Sequence, residues 1–232
     1  MTEPLTYTLE GKTAVLRMDD GKANALSVQM IDAIVASVER AEREASAIVL
    51  AGRPDRFSGG FDLRVMMSGP EAATGLLRRG SDLLMKLYGT PLPLVIACTG
   101  HAIAGGALTV LTGDYRVGAA GAFKIGLNEL SIGLPVPVLA MELARDRLVS
   151  SALPRATLHA QMYAPEEAVA VGYLDEVVAA DSCVARAIEE AARLGALSRV
   201  SYRRTKERLR GKTIAHITAT VDDDLRNLLT PE

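Results

Sequence analysis

Pro93-Leu94-Val95-Ile96-Ala97-Cys98-Thr99-Gly100-His101-Ala102-Ile103-Ala104-Gly105-Gly106-Ala107-Leu108 decides how this chain is read. Pro93 to Thr99 is short and apolar, as a strand buried on both faces must be. A turn follows, and a helix from Gly105 to Thr112 opens at the glycine pair. The same design occurs earlier. Ser46 to Leu50 reads as a buried strand, and after it comes the turn Phe57-Ser58-Gly59-Gly60-Phe61-Asp62-Leu63. The first N–H groups of a helix have no internal partner, and glycine allows a ligand close to the backbone. Two such turns offer two N–H donors for one oxygen, with Phe61 N–H aimed outward by the bend at Gly59-Gly60. Taken singly, each turn also reads as close helix–strand packing or as an ordinary loop.

Further along lies Gly126-Leu127-Asn128-Glu129, with Ile125, Leu127, Leu130 and Ile132 around the carboxylate. Burial there raises its pKa and makes it a better base. The local pattern equally suits a surface Glu on an exposed turn. Two donors and one carboxylate are the equipment for making an enolate from a carbonyl compound.

The bulk properties narrow the field. The 232 residues suffice for one sizeable core, so a single domain is expected. Hydrophobic residues make up 49% and aromatics only 4% with no Trp, so Ala, Val, Leu and Ile must build that core. The formal charge of -2 attracts neither nucleic acid nor an anionic membrane. No apolar run reaches the roughly 18 residues of a spanning helix, and Met1 to Gly11 does not read as a signal peptide. Cys98 and Cys183 are far apart and form no CxxC, which suits two buried thiols in a reduced, cytoplasmic setting.

The remaining elements follow from periodicity and punctuation. Thr13 to Met18 reads as a strand ended by Asp19-Asp20-Gly21. Ser27 caps a helix to about Glu44, with Met30, Ile31, Ile34, Val35 and Val38 on one face. Pro70 opens a helix to about Tyr88. Asp114 to Val117 is a short strand. Pro135 to Ala170 reads as mainly helical, broken by Pro154 and Pro165, and Ser182 to Leu229 as helical and charged. The layout divides into an α/β core over residues 1–178, built of β-β-α units, and a helical region over 179–232.

Other chemistries find little footing. His101, His159 and His216 show no metal-ligand spacing, and His101 reads as a structural histidine. Neither GxSxG, GxGxxG nor GxxxxGK[ST] occurs. The basic run Tyr202 to Arg210 is ordinarily a solvated helix face; its alternative is a clamp for an anionic ligand. An RNA-binding role has only this helix to rest on.

The combined motifs resemble the crotonase superfamily, the enoyl-CoA hydratases and isomerases. Asn24-Ala25-Leu26-Ser27 is similar to the family's early loop near the CoA adenine. Phe57 to Leu63 resembles its first oxyanion turn, and Ala104-Gly105-Gly106-Ala107-Leu108 its second. Asp114-Tyr115-Arg116, Pro165-Glu166-Glu167-Ala168 and Gly172 to Val178 are family-like too. The resemblance spans nearly the whole chain. It implies a crotonase-like spiral of β-β-α repeats with a C-terminal helical trimerisation region, and a homotrimer or hexamer. It implies an acyl-CoA thioester as partner and no metal or other cofactor, because CoA is part of the substrate. The oxyanion donors would be the N–H groups of Phe61 and Gly105, and the catalytic group Glu129. CoA would lie against Lys22, Ala23, Ala25, Gly59, Asp62 and Leu63, with Arg64 and Lys206 as further candidates for its phosphates. Met66 and Leu108 would line the acyl pocket.

One departure separates the family's chemistries. Hydratases of the family carry a first glutamate where this chain has Leu108, and leucine neither positions nor protonates water. The pattern is most similar to Δ3-Δ2-enoyl-CoA isomerases, which work with one glutamate. Two alternatives stay open: a hydratase or other crotonase reaction with Asp62, His101 or Glu142 as partner to Glu129, and a non-catalytic acyl-CoA-binding or assembly protein.

Overall fold

Three successive strand pairs set the architecture, each sending its first strand to one sheet and its second to another. A computed structural model of the chain describes residues 3–228. Strands β1 (Leu5–Glu10) and β2 (Thr13–Met18) form an antiparallel hairpin, and helix α1 (Val28–Glu44) follows. Then come β3 (Ala47–Ala51), β4 (Asp55–Ser58), α2 (Leu63–Met66) and α3 (Pro70–Gly89). The next unit is β5 (Leu94–Cys98), β6 (Gly100–Ile103) and α4 (Gly105–Leu111). The third is β7 (Tyr115–Ala119), β8 (Ile125–Gly126) and a 3-10 turn over Glu129–Ile132. One sheet has the order β1-β2-β3-β5-β7-β9, and the other β4-β6-β8. All pairings after the first hairpin are parallel. This is the expected spiral of β-β-α units.

Helices complete the chain: α5 (Val138–Arg147), α6 (Leu153–Thr157), α7 (Pro165–Val171), strand β9 (Glu176–Val178), α8 (Cys183–Gly195) and α9 (Arg199–Leu228). Pro154 and Pro165 stand in the first turns of α6 and α7, so they start helices rather than break one. The sequence gives little sign of β1, and β6 falls where it suggests only a turn.

The two faces of the large sheet differ in size, which follows from the period-2 alternation of strands. Val15, Ala47, Val49, Ala51, Val95 and Ala97 pack under α8 with Ala187 and Ala191. Leu16, Ile48, Leu50, Leu94 and Ile96 face the opposite side, with α1, α3 and α4 over them. Small side chains on one face let α8 sit close, and the bulkier face fills the main core. Burial of each Leu or Ile there contributes about 1.5–3 kcal/mol. Cys98 belongs to the larger core and Cys183 to the α8 layer, so the two buried thiols lie in separate packing layers. Burial pushes the pKa of both upward, so neither is a ready nucleophile.

Helix α1 is capped as the sequence predicts, with Met30 N donating to Ser27 Oγ at 3.2 Å. Helix α9 packs against α3 and α5, and its buried residues are Lys206, Arg210, Ile217, Val221 and Leu225. Two of those five are cations, which conceals the stripe from a hydropathy reading. No helix among the described residues is long and apolar enough to cross a membrane.

Candidate active site

The small sheet gathers the site. Each of its three parallel strands ends in one of the segments singled out by sequence: Gly59 to Asp62 after β4, Ala104-Gly105 after β6, and Leu127 to Glu129 after β8. Binding sites of parallel α/β sheets form at these carboxyl ends.

The first turn is clamped to the loop before α1. Asn24 is fully buried at φ 50°, and its Nδ2 donates to Met18 O (3.0 Å), Arg56 O (3.1 Å) and Phe57 O (3.2 Å). Ser58 Oγ donates to Asn24 O at 2.7 Å and accepts from Gly60 N at 3.2 Å. Gly59 N donates to Ala23 O, and Leu26 N to Gly60 O, both at 2.8 Å. Asp20 holds the outer loop by accepting from Lys22 N, Asn24 N and Ala25 N.

The same pairing orients Phe61. Leu26 bridges it in parallel through Gly60 O and Asp62 N, so the N–H of Phe61 turns away from Leu26. It makes no hydrogen bond among the described residues. Gly105 N, the first N–H of α4, is also without a partner there. The two turns abut: a Cβ at Gly60 would lie 3.2 Å from Gly105 N, and one at Gly106 would meet Ser58 O at 2.2 Å. Ala104 enters α4 at φ 50°, ψ -120°, a conformation that side chains rarely adopt. Ala104 N is held by Gly126 O at 3.0 Å, which ties the second turn to β8 and so to Glu129. Alanine carries no sequence signal for such strain.

Glu129 is 8% exposed, and its Oε2 finds no partner among the described residues. Burial raises its pKa above the usual carboxylate range, partly offset by its own backbone N–H. Ile125 and Leu127 supply the buried apolar setting, whereas Leu130 and Ile132 turn outward, 41% and 54% exposed. Only half of the expected apolar surround is therefore correct, because the 3-10 turn rotates the later residues away from the core. Tyr173 is fully buried and feels the Glu129 charge; its pKa is raised by burial first, then by Tyr163 and Glu129, with the Leu127 backbone opposing. Its proximity to Glu129 was not apparent from the sequence. Leu108 lies one helical turn past Ala104, 3% exposed in the main core, and half-buried Met66 packs against that core.

A cavity of about 590 Å³ is lined by Lys22, Ala23, Ala25 and Asp62, with Asp20, Ser27, Gln29 and Arg64. Gly59 borders the same loop through Ala23, but Leu63 is 64% exposed and lies outside the lining. Lys206 is not there at all. Its Nζ is buried between Leu92 O (2.7 Å) and Asp114 Oδ2 (2.5 Å), which corrects its assignment to a phosphate site. The other partners considered for Glu129 are engaged elsewhere. Asp62 caps α2 through Arg64 N, His101 Nδ1 accepts from Lys124 N, and Glu142 pairs with Arg145. A further cavity of about 810 Å³, bordered by Arg17, Asp55 and Asp181, contains none of the candidate residues.

The chain is similar to known proteins along nearly its whole length. The model of the enoyl-CoA hydratase/isomerase family matches residues 9–230. Human mitochondrial enoyl-CoA delta isomerase 1 is 30% identical over 222 residues, covering 94% of this chain and 74% of its own. The enoyl-CoA isomerase of Mycobacterium tuberculosis superposes with a TM-score of 0.91 at 40% identity, over 96% of this chain and 97% of the other. An enoyl-CoA hydratase from Mycobacterium ulcerans gives 0.93, also at 40% identity, over 98% and 100%.

Proposed function

The chain belongs to the enoyl-CoA hydratase/isomerase family, and from that premise we propose that it is a Δ3-Δ2-enoyl-CoA isomerase working with one glutamate. The carrying observation is that Glu129 is buried with its Oε2 unpartnered among the described residues, while buried hydrocarbon, Leu108, stands where a second carboxylate would be needed for hydration. The substrate is a 3-enoyl thioester of CoA, its carbonyl oxygen between the N–H groups of Phe61 and Gly105. Glu129 takes the C2 proton. The C2–H electron pair moves toward the carbonyl, giving a dienolate whose charge rests on the oxygen facing the two donors. Protonated Glu129 then delivers the proton to C4: the C3=C4 π pair forms the new C4–H bond, the C1=C2 pair becomes the C2=C3 double bond, and the pair on oxygen re-forms the carbonyl. One proton leaves and one returns, so the carboxylate ends as it began. A raised pKa serves both halves, since the group must accept a proton and then release it. Leu108 excludes the water that hydration would need.

The CoA moiety lies along the Lys22 to Ala25 loop, with Asp62 and Arg64 across the cavity, and no other cofactor is required. The assembly is a homotrimer or a pair of trimers in a cytoplasmic setting, a reading supported by exposed Leu197, Val200 and Leu209 near and on α9 and by the two unbridged cysteines. Light scattering on the purified protein tests it.

The second reading is enoyl-CoA hydration, favoured by the hydratase name of the Mycobacterium ulcerans relative. Incubation with 3-hexenoyl-CoA and, separately, 2-hexenoyl-CoA decides between them. The isomerase converts the first to the trans-2 product and leaves the second unhydrated. Hydration of the second overturns the proposal.

A further inference from the structure

We infer that Gly80, in the interior of α3, is a positioning residue for the first oxyanion donor: it makes room for the ring of Phe61, which sets the spacing between the two N–H groups. This rests on the proposed oxyanion role of Phe61. A Cβ at Gly80 would stand 2.1 Å from Phe61 Cε1 and 2.4 Å from Cζ. Across the ring, a Cβ at Gly105 would lie 3.0 Å from Cε2 and 3.1 Å from Cδ2. The ring is thus held between α3 and the start of α4, with a glycine at each edge. Its backbone is gripped as well, by the bridge to Leu26. An added methyl at Gly80 pushes the ring toward the start of α4 at Gly105 or forces the turn carrying the Phe61 N–H to move.

Helix α3 supplies its own comparison. Glycine is a poor residue inside a helix, and alanine in its place ordinarily favours the helical state. Gly75 lies in the same helix, and a Cβ there would meet nothing within 4 Å. Gly75 therefore has open space where Gly80 has the Phe61 ring.

The experiment compares Gly80→Ala, Gly75→Ala, Phe61→Leu and the double variant Gly80→Ala/Phe61→Leu. The donor is a backbone N–H, so Phe61→Leu keeps it while shortening the side chain. Gly80→Ala is expected to lower kcat on 3-hexenoyl-CoA by on the order of 10-fold to 100-fold, approaching the loss of one oxyanion donor, with KM little changed. Gly75→Ala retains wild-type kcat. In the Phe61→Leu background the alanine causes no further loss. If Gly80→Ala fails to fold, the double variant must regain both fold and turnover. A Gly80→Ala variant with wild-type kcat, or a loss that Phe61→Leu does not relieve, overturns the inference.

A second readout separates this inference from the isomerase assignment. Acetoacetyl-CoA is a β-keto thioester whose enolate absorbs in the ultraviolet, and a hole with two donors favours that form. An enolate band that weakens in Gly80→Ala but persists in Gly75→Ala supports the ring slot even if no enoyl-CoA is turned over. Absence of the band in the wild-type protein overturns both the hole and the slot.

Discussion

Asp114 Oδ2 lies 2.5 Å from Lys206 Nζ, and both side chains are buried, 10% and 6% exposed. The same carboxylate accepts from Arg210 at 2.9 Å and from Leu94 N at 2.8 Å. Asp114 directly precedes β7 and follows α4, so this cluster ties α9 to the element that starts at Gly105. Removing the acceptor leaves two buried cations without their carboxylate. Asp114→Asn is therefore expected to destabilise the fold by about 3–5 kcal/mol, read from the urea unfolding midpoint.

The cluster also carries a pH signature. Burial pushes Lys206 down from 10.5 to about 8; Asp114 opposes that shift, and Arg210 and Arg147 add to it. Between about pH 8 and pH 10 the unfolded chain holds a proton on this lysine that the folded protein has released. The unfolded state then binds more protons, so stability rises with pH across that window. Lys206→Met should flatten the rise in urea midpoints measured over the same range. An equal slope in both proteins would assign the effect to another group.

At Glu129 the sign is reversed. Its pKa is raised by burial, so the folded protein binds the extra proton, and stability present at acidic pH is lost as pH rises through the folded value. Glu129→Gln removes the penalty of a buried charge and is expected to raise Tm at neutral pH. Turnover should fall by about 10²–10⁴-fold with the loss of the base. In the wild type, kcat/KM should climb with pH above the ordinary carboxylate range. Near-wild-type turnover in Glu129→Gln would remove this residue from the mechanism.

How far the sequence reached can be read from particular residues. Strands β3 and β5 stand out because they are buried on both faces and carry unbroken apolar runs. The turns at Gly59-Gly60 and Gly105-Gly106 stand out because glycine marks close approach. Strands β4, β6 and β8 escape notice: they are two to four residues long and are held by pairing with one another rather than by propensity. Lys206 and Arg210 look like a solvated face because charge masks burial, and their partners, Asp114 and the carbonyls of Tyr88, Leu92, Thr112 and Gly113, are all distant in sequence. Gly80 is silent for a related reason, since its meaning depends on where the Phe61 ring lies.

Asn24 is a test of the clamp between the early loop and the first turn. Three backbone carbonyls, those of Met18, Arg56 and Phe57, take hydrogen bonds from its Nδ2. Asn24→Ala strands these acceptors and places a less tolerant residue at φ 50°. Each buried group left unsatisfied costs about 1–3 kcal/mol. The expected result is a lower unfolding midpoint together with a higher KM, because the loop lining the cavity at Lys22 and Ala23 loosens.

Gly106 tests the contact between the two turns themselves. A Cβ there would meet Ser58 O at 2.2 Å and Ser58 C at 2.9 Å. These are backbone atoms of β4, pinned through Ser58 Oγ to Asn24 O, so they cannot shift aside. Gly106→Ala must therefore push α4 away from the first turn, at a cost of about 1–3 kcal/mol or more for overpacking. The first turn and the Ala23 to Ala25 loop are bonded to each other and move as a unit. Affinity for free CoA, measured by calorimetry, should then stay near the wild-type value while kcat falls. Parallel losses of affinity and turnover would mean that the α4 contact supports the whole site rather than the spacing of its two donors.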